Sequence, residues 1–231
     1  EYPDEPLLFN ISGVCYKAID QLDAAIKSFE KALAIQPDYA EVHYNLGAVL
    51  KELGQLDASI KSYEKALTIN PTYADVHNNL GNVLRILGQD FKGLNRLKYL
   101  RLMNTAIDHF EWAIAYKPDF AEAYYNLGVG LADIGQLDAA LKNCEKAIAL
   151  KPDWAEAHNN HAVTLHDLGQ LDAAIKSYEK AIDIKPNYAE PYAYLGNALK
   201  EIGQLDAAMK SYEKAITVKP DYAEAHRFLT F

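Results

Sequence analysis

Residues 40–73 read AEVHYNLGAVLKELGQLDASIKSYEKALTINPTY, and close copies of this 34-residue stretch fill most of the chain. The copies share a proline, which occurs as Pro3, Pro37, Pro71, Pro118, Pro152, Pro186 and Pro220. Successive prolines are 34 residues apart, except for one step of 47 between Pro71 and Pro118. A fixed period of this length predicts an array of small units that bury their apolar faces against one another.

Each repeat carries the sequence signals of two helices. In residues 40–73 a first helix is indicated by Leu46, Gly47 and Leu50, and a second by Ile60, Tyr63, Ala66 and Leu67. Gly54 can adopt the left-handed backbone conformation that ends a helix, and Pro71 prevents the second helix from continuing. Gly47 is small, which predicts that the two helices approach closely at this residue.

Acidic residues near the helix starts predict N-terminal caps. Asp38 and Glu41 have the spacing of a capping box, in which two side chains satisfy backbone N–H groups of the first turn. The pair recurs as Asp119/Glu122, Asp153/Glu156 and Asp221/Glu224, with Asn187/Glu190 as a variant. Asp57 is predicted to cap the second helix in a similar way.

A 34-residue period of two helices resembles the tetratricopeptide repeat (TPR) family. The resemblance implies an all-α fold, a TPR solenoid of antiparallel helix pairs forming a right-handed superhelix. It implies a single array over residues 6–231, with repeats 6–39, 40–73, 74–120, 121–154, 155–188 and 189–222. Residues 223–231 would form a truncated helix, and residues 1–5 the remnant of a preceding repeat.

Composition excludes several classes of partner. The net charge of −9 argues against nucleic acid, because phosphate binding requires clustered Lys and Arg. No apolar run approaches the roughly 20 residues of a membrane span, and the N-terminus lacks the features of a signal peptide. We therefore expect no nucleic-acid partner, no membrane partner and a cytoplasmic location. Because the first residue is not Met, we expect the chain to be cut from a longer one.

Four histidines, His43, His77, His158 and His226, recur at one repeat position. Successive members lie a whole repeat apart, too far for one metal ion, so we predict that they pack in the core. Cys144 takes the place of Tyr63 and is predicted to be a small core residue. We find no phosphate loop, nucleophile elbow or paired-His helix. The sequence predicts no catalytic residue, no metal site, no cofactor and no enzymatic activity.

A row of asparagines is the strongest candidate for a binding site. Asn45, Asn79, Asn126 and Asn160 recur at one position of the first helix, where Ile11 and Tyr194 stand in the outer repeats. An amide offers both donors and an acceptor, so such a row can pair with the backbone of an extended peptide. The asparagine row resembles the ladder of the O-GlcNAc transferase TPR superhelix, which implies peptide binding on the concave face. Alternatively, asparagine is merely tolerated on a solvated face.

A second use of TPR domains is disfavoured by charge. Chaperone-binding members hold a C-terminal carboxylate with Lys and Arg on the first helices, whereas the matching positions here are Glu41, Asp75, Glu122, Glu156, Glu190 and Glu224. We therefore predict a neutral or basic protein or peptide partner rather than a carboxylate tail.

The predicted function is a non-catalytic protein–protein interaction scaffold that binds an extended segment. One alternative is a substrate-presenting arm of a larger enzyme, because the array and its terminal DYAEAHRFLTF resemble bacterial arrays that precede a sulfotransferase or glycosyltransferase domain. Another is an assembly module that works through the extra residues of repeat 74–120. These alternatives stay open on the sequence alone.

The long proline step contains an insert, residues 90–102, which reads DFKGLNRLKYLRL. Aligned backwards from Pro118, Asn104 takes the place of Asp57. Asn104 could therefore cap the second helix at its usual start, after a separate short helix or loop. The alternative is a second helix extended towards its N-terminus, with Gly93 and Asn95 marking the bend. The spacing of Leu100, Met103, Ile107 and Phe110 favours the extension.

An extended insert is predicted to project from the array and to show apolar side chains to water. These are Phe91, Leu94, Leu97, Tyr99, Leu100 and Leu102. The insert carries a net charge of +3, since four basic residues outnumber Asp90, in an otherwise acidic chain. We predict self-association, with the insert of one copy docking on the acidic array of another. The alternative is that the insert folds back over its own repeats.

Overall fold

The computed structural model of the protein describes residues 5–229, apart from the side chains of residues 224, 228 and 229. In this part of the chain all secondary structure is helical, which confirms the predicted all-α fold. The helices in chain order are α1 Pro6–Ala18, α2 Leu22–Ile35, α3 Ala40–Glu52, α4 Leu56–Ile69, α5 Ala74–Gln89, α6 Arg96–Tyr116, α7 Ala121–Asp133, α8 Leu137–Leu150, α9 Ala155–Asp167, α10 Leu171–Ile184, α11 Ala189–Glu201, α12 Leu205–Val218 and α13 Ala223–Leu229.

The chain divides into two compact units, residues 1–126 and 127–231. Within the first unit, α1, α3 and α5 each pack against the helix that follows, and α2 and α4 pack against the next repeat as well. Within the second unit, α9 and α11 pack in the same way on α10 and α12. Each unit is therefore a stack of helix hairpins in which every hairpin also contacts its neighbour, as a solenoid requires.

Glycine allows the two helices of a hairpin to approach closely. A Cβ placed on Gly47 would lie 2.7 Å from the nearest ring carbon of Tyr63, whose side chain is fully buried. The equivalent distances are 2.4 Å for Gly13 against Phe29 and 2.4 Å for Gly196 against Tyr212. These aromatic rings therefore fill the space that a larger residue on the first helix would need.

The predicted end of the first helix is confirmed. Gly54 has a φ of 72°, and the amides of Gly54 and Gln55 donate to the carbonyls of Lys51 and Leu50. This pair of bonds satisfies the last carbonyls of α3 in the manner of a Schellman motif. Asp20 takes the same left-handed conformation after α1, with a φ of 58°.

The predicted capping boxes are wrong where the structure describes the caps. The N-cap of α3 is Tyr39, with an extended backbone and no side-chain bond, and Trp154 and Tyr188 cap α9 and α11 similarly. The N-cap of α4 is Gln55, so Asp57 lies inside the first turn. Helices α3, α9 and α11 each begin one residue after the position that would let Asp38, Asp153 or Asn187 cap them, whereas α4 begins two residues before the position that would let Asp57 cap it. The remaining acidic residues of the first turns still favour the helix dipole. The side chain of Glu224 lies outside the described residues.

The insert lengthens both helices of the third hairpin. Helix α6 has 21 residues where α4 has 14, and α5 has 16 where α3 has 13. The extended second helix is therefore the alternative observed, with Gly93 and Asn95 in the turn. Asn95 is the N-cap of α6, and its side chain accepts a bond of 3.0 Å from the backbone amide of Lys98. Asn104 lies within α6 and does not begin a helix.

Candidate functional site

Three asparagines of the row lie in the first unit and form hydrogen bonds between repeats. Asn45 donates through its side-chain nitrogen to the side-chain oxygen of Asn10 at 2.9 Å. Asn79 donates to the hydroxyl of Tyr44 at 3.1 Å, and Asn126 donates to the side-chain oxygen of Asn78 at 2.8 Å. In every case the acceptor is the residue one position before the row in the preceding repeat. The row therefore joins neighbouring first helices of this unit.

The acceptor residues were missed by the sequence reasoning, although a signal was present. Asn10, Asn78 and Asn159 recur immediately before the position of the row, and this second asparagine column has no apolar role to explain it. All three side chains are buried, which accounts for their dependence on a hydrogen-bonding partner.

The second unit shows what happens where the row ends. The buried side-chain oxygen of Asn159 has no hydrogen-bond partner among the described residues. The row position of the following repeat holds Tyr194, whose ring packs 6.1 Å from that of Tyr178. Because a tyrosine replaces the donating amide, the acceptor of the preceding repeat loses the bond that its equivalents make.

The asparagines of the row differ in how much of their side chains is exposed. Asn45, Asn79 and Asn160 are partly exposed, whereas Asn126 is only 8% exposed. An amide has two N–H groups and an oxygen with two lone pairs, so the bond to the preceding repeat leaves most of its capacity available. Asn45 and Asn79 therefore keep hydrogen-bonding capacity on partly exposed side chains, and Asn126 contributes chiefly to packing between repeats.

Acidic side chains accompany the row on the first helices. In the first unit, Glu41 accepts a bond of 3.2 Å from Asn10, and Asp75 lies 3.8 Å from the amine of Lys117. In the second unit, Lys185 donates to Glu156 at 2.7 Å, and this bond lowers the pKa of the Glu156 carboxyl. Asp75 and Glu156 are therefore partly neutralised by a lysine of their own repeat, whereas the partner of Glu41 is a neutral amide of the preceding repeat.

The histidine row lies in the core at only one of its four members, whereas the sequence predicted core packing for all four. The Nε2 atoms of His43, His77, His158 and His226 each lie 2.7–2.9 Å from the backbone oxygen of the proline six residues earlier. His77 is buried, but His43 and His158 are partly exposed and His226 is exposed. The prediction of core packing is confirmed for His77 and is wrong for the other three, whose rings stay at least partly exposed while their Nε2 atoms bond to the turn between repeats. Each histidine therefore ties the start of a first helix to the turn before it.

His77 makes a second contact that the other three do not. Its Nδ1 lies 2.9 Å from Nδ1 of His109 on α6, and Trp112 and Tyr116 pack against the pair with ring centroids 5.1–5.6 Å apart. The bond from His77 to the Pro71 carbonyl uses its Nε2 proton, so Nδ1 of a neutral His77 accepts the proton of His109. Burial, with a smaller effect of His77, lowers the pKa of His109 to about 4.

Cys144 is buried, as predicted for a small core residue. Burial raises the pKa of its thiol to about 12, so the group is not an activated nucleophile. Among the described residues, no group of three or more His, Cys, Asp or Glu side chains is arranged to hold a metal ion.

The insert shows less apolar surface than the sequence predicted. Leu94 is 86% exposed and Leu97 is 62% exposed, as expected. Tyr99, however, is only 6% exposed, and Phe91, Leu100 and Leu102 are half-buried. The prediction fails for Tyr99 because α5 is also lengthened, so that the inner side of the extended α6 lies against it. The Cβ of Leu102, for example, lies 3.5 Å from the place that a Cβ would take on Gly88 of α5.

Two family profiles match the chain. One, described as TPR repeat, matches residues 16–54, 49–88, 162–203 and 196–229, which together exceed half of the chain. The other, described as Tetratricopeptide repeat, matches residues 121–153. The chain belongs to the tetratricopeptide repeat family. Both profiles describe repeats of TPR type, and neither describes a catalytic domain.

Solved TPR structures resemble the chain over most of its length. MamA is 29% identical, with a TM-score of 0.65 over 78% of this chain and 97% of that protein. YrrB, a TPR protein with an unusual peptide-binding site, is 23% identical, with a TM-score of 0.66 over 88% of this chain and 98% of its own. PilF of Pseudomonas aeruginosa is 19% identical, with a TM-score of 0.80 over 97% and 96%. The last two likenesses establish the fold alone. No curated protein matches the chain closely enough in sequence to serve as a relative.

The TPR fold is that of a protein–protein interaction scaffold. The family profiles that match the described residues are TPR repeats, and no catalytic family is among them. None of the helices within residues 5–229 has both the length and the apolar character needed to cross a membrane.

Proposed function

We propose that the first helices of this TPR scaffold hold an extended, neutral or basic peptide segment through the amides of Asn45 and Asn79. The observation that carries the proposal is the bond of each amide to the preceding repeat, to Asn10 and to Tyr44. That bond fixes the side chain before a ligand arrives, which reduces the entropy lost on binding.

The spacing of the helices suits an extended chain. Packed helices lie about 8–10 Å apart, and an extended peptide rises about 3.3 Å per residue, so one amide would meet every third residue. The remaining N–H and oxygen of each amide would pair with backbone groups of the peptide, largely irrespective of its side chains. The description of YrrB as a peptide-binding TPR protein is consistent with such a use of the fold.

Charge would select among peptides. Glu41 and Asp75 lie on the same helices as the two amides, where Glu41 accepts a bond from Asn10 and Asp75 lies 3.8 Å from the Lys117 amine. Basic residues in the ligand would be attracted, and acidic residues or a terminal carboxylate would be repelled. Presentation of substrates to a transferase domain, the alternative suggested by the sequence, would use the same face and stays a prediction.

The test begins with selection of binders from a library of random, unstructured peptides. Their affinities are then measured by isothermal titration for the parent chain and for Asn45→Ala/Asn79→Ala. Two lost hydrogen bonds of about 1 kcal/mol each predict binding weaker by at least about tenfold. Asn104→Ala, which removes an exposed amide of α6 outside the row, is the matched control and should bind as the parent does.

Asn126 is left unchanged in this test, because its own side chain is buried and its loss would mainly change stability. Asn45→Ala also removes the donor to the buried Asn10, so the Tm of the double variant is measured beside its affinity. Affinity within twofold of the parent in the double variant, with helical content intact, would exclude Asn45 and Asn79 as the binding residues. Preference for acidic over basic peptides would contradict the assignment of the partner's charge.

A further inference from the structure

The end of the third hairpin combines the most exposed leucine of the first unit with a group of cations. We define the hairpin tip as residues 90–101, the turn and the first turns of α6. Leu94 is 86% exposed and Leu97 62% exposed. Lys92, Arg96, Lys98 and Arg101 are all exposed around them, with Asp90 as the single acid. The tip is thus positive and apolar in a chain whose net charge is −9.

The tip extends beyond the preceding hairpin of the same unit. Helix α6 has seven residues more than α4 at the end that forms the tip, and seven residues of helix measure about 10 Å. This length is close to the Debye length at physiological salt, about 8 Å. Because exposed charges further apart than the Debye length are largely screened, the cations of the tip interact weakly with the acidic groups at the turn between α3 and α4.

The exposed apolar area is small for a protein interface. A stable complex buries about 800 Å² on each partner, which two leucines and a half-buried Phe91 do not approach. The amine of Lys98 also covers Phe91, at 3.7 Å from its ring centroid. Two copies meeting symmetrically would bring their positive tips together, which is repulsive. The small apolar area and this repulsion disfavour a symmetric dimer through the tip, and docking of the tip on the acidic array of a second copy stays a prediction that light scattering tests.

We propose that the hairpin tip docks on the surface of an anionic phospholipid bilayer. Leu94 and Leu97 lie at the far end of the hairpin, where they enter the interface between headgroups and acyl chains without needing a complementary pocket. The four cations stay at the level of the headgroups, where each strengthens binding to an anionic surface about fivefold. The expectation of no membrane partner was based on the lack of an apolar run long enough to span a bilayer and of signal-peptide features, and neither argument concerns docking on the bilayer surface.

The test is cosedimentation of the 231-residue chain with vesicles of phosphatidylserine and phosphatidylcholine, and with vesicles of phosphatidylcholine alone. We expect binding to the anionic vesicles only, and release by high salt. Leu94→Ser/Leu97→Ser should weaken binding about tenfold or more, and Arg96→Gln/Arg101→Gln about twentyfold. Circular dichroism should show unchanged helical content, because the substituted side chains are exposed.

A matched control removes exposed apolar side chains elsewhere. Leu205→Ser/Met209→Ser alters two residues of α12 that are 59% and 52% exposed, and it should bind vesicles as the parent does. Equal binding to neutral vesicles, absence of binding at millimolar lipid, or binding that survives Leu94→Ser/Leu97→Ser would overturn the proposal. Light scattering that showed a dimer dissolved by the same leucine variant, without vesicle binding, would instead assign the tip to self-association.

Discussion

Substitution of Gly47 by alanine tests the closest approach of two helices in the first unit. The new Cβ would lie 2.7 and 2.8 Å from two ring carbons of Tyr63, whereas carbon atoms pack at about 3.5–4.0 Å. The ring has no space to retreat, because Tyr63 is fully buried and lies 6.2 Å from the ring of Tyr44. Overpacking of this kind lowers the free energy of unfolding by about 1–3 kcal/mol, and the higher helix propensity of alanine offsets about 1 kcal/mol of this loss.

The expected net loss is about 1 kcal/mol, which lowers the apparent Tm by about 2–4 °C in thermal unfolding followed by circular dichroism. Gly93→Ala is the control, because its Cβ would meet nothing within 4 Å and its φ lies outside the left-handed region. That variant should be as stable as the parent or slightly more stable. In a Tyr63→Leu background, Gly47→Ala should no longer destabilise. A Gly47→Ala variant at least as stable as the parent would refute the close packing of α3 on α4.

Three further predictions concern stability. Asp20→Gly should raise the Tm and add about 0.5–1 kcal/mol, because Asp20 holds a left-handed φ of 58° that glycine adopts without strain; a lower Tm would contradict this. Asn95→Ala should lower the free energy of unfolding in urea by about 1 kcal/mol, because it removes the cap of α6, whereas Asn104→Ala should not destabilise. A larger loss for Asn104→Ala than for Asn95→Ala would indicate instead that α6 begins after Asn104. Burial lowers the pKa of His109 to about 4 from an ordinary 6.5. The contribution of neutral His109 to the free energy of unfolding is therefore complete above pH 6.5 and is lost as the pH falls towards 4. Unfolding of His109→Gln should therefore depend less steeply on pH over this range, and an unchanged dependence would exclude the His77–His109 pair as the cause.

Local chemistry made much of the fold predictable. The end of α3 follows from Gly54, because few other residues adopt a left-handed backbone at low cost. The periodic apolar residues specify two helices per repeat, and a hairpin that cannot bury its own apolar face must stack on another. These arguments need only residues close together in sequence. They failed at the helix starts, where a shift of one residue removes Asp38 from capping range.

The candidate site was predictable in position but not in partners. The sequence places Asn45 and Asn79 at one repeat position, while their acceptors Asn10 and Tyr44 lie 35 residues earlier. Only the stacking of repeats brings these side chains within hydrogen-bonding distance, since nothing local connects them. The same holds for His77 and His109, which are 32 residues apart.

The sequence by itself determined the repeat, its helices, the glycine turns and the insert with its composition. The tertiary structure decided which side chains of the insert reach water: lengthening of both α5 and α6 buries Tyr99 and leaves Leu94 and Leu97 exposed. The physical reason is that helix formation follows from neighbours along the chain, whereas burial depends on which surfaces the stacked helices bring together.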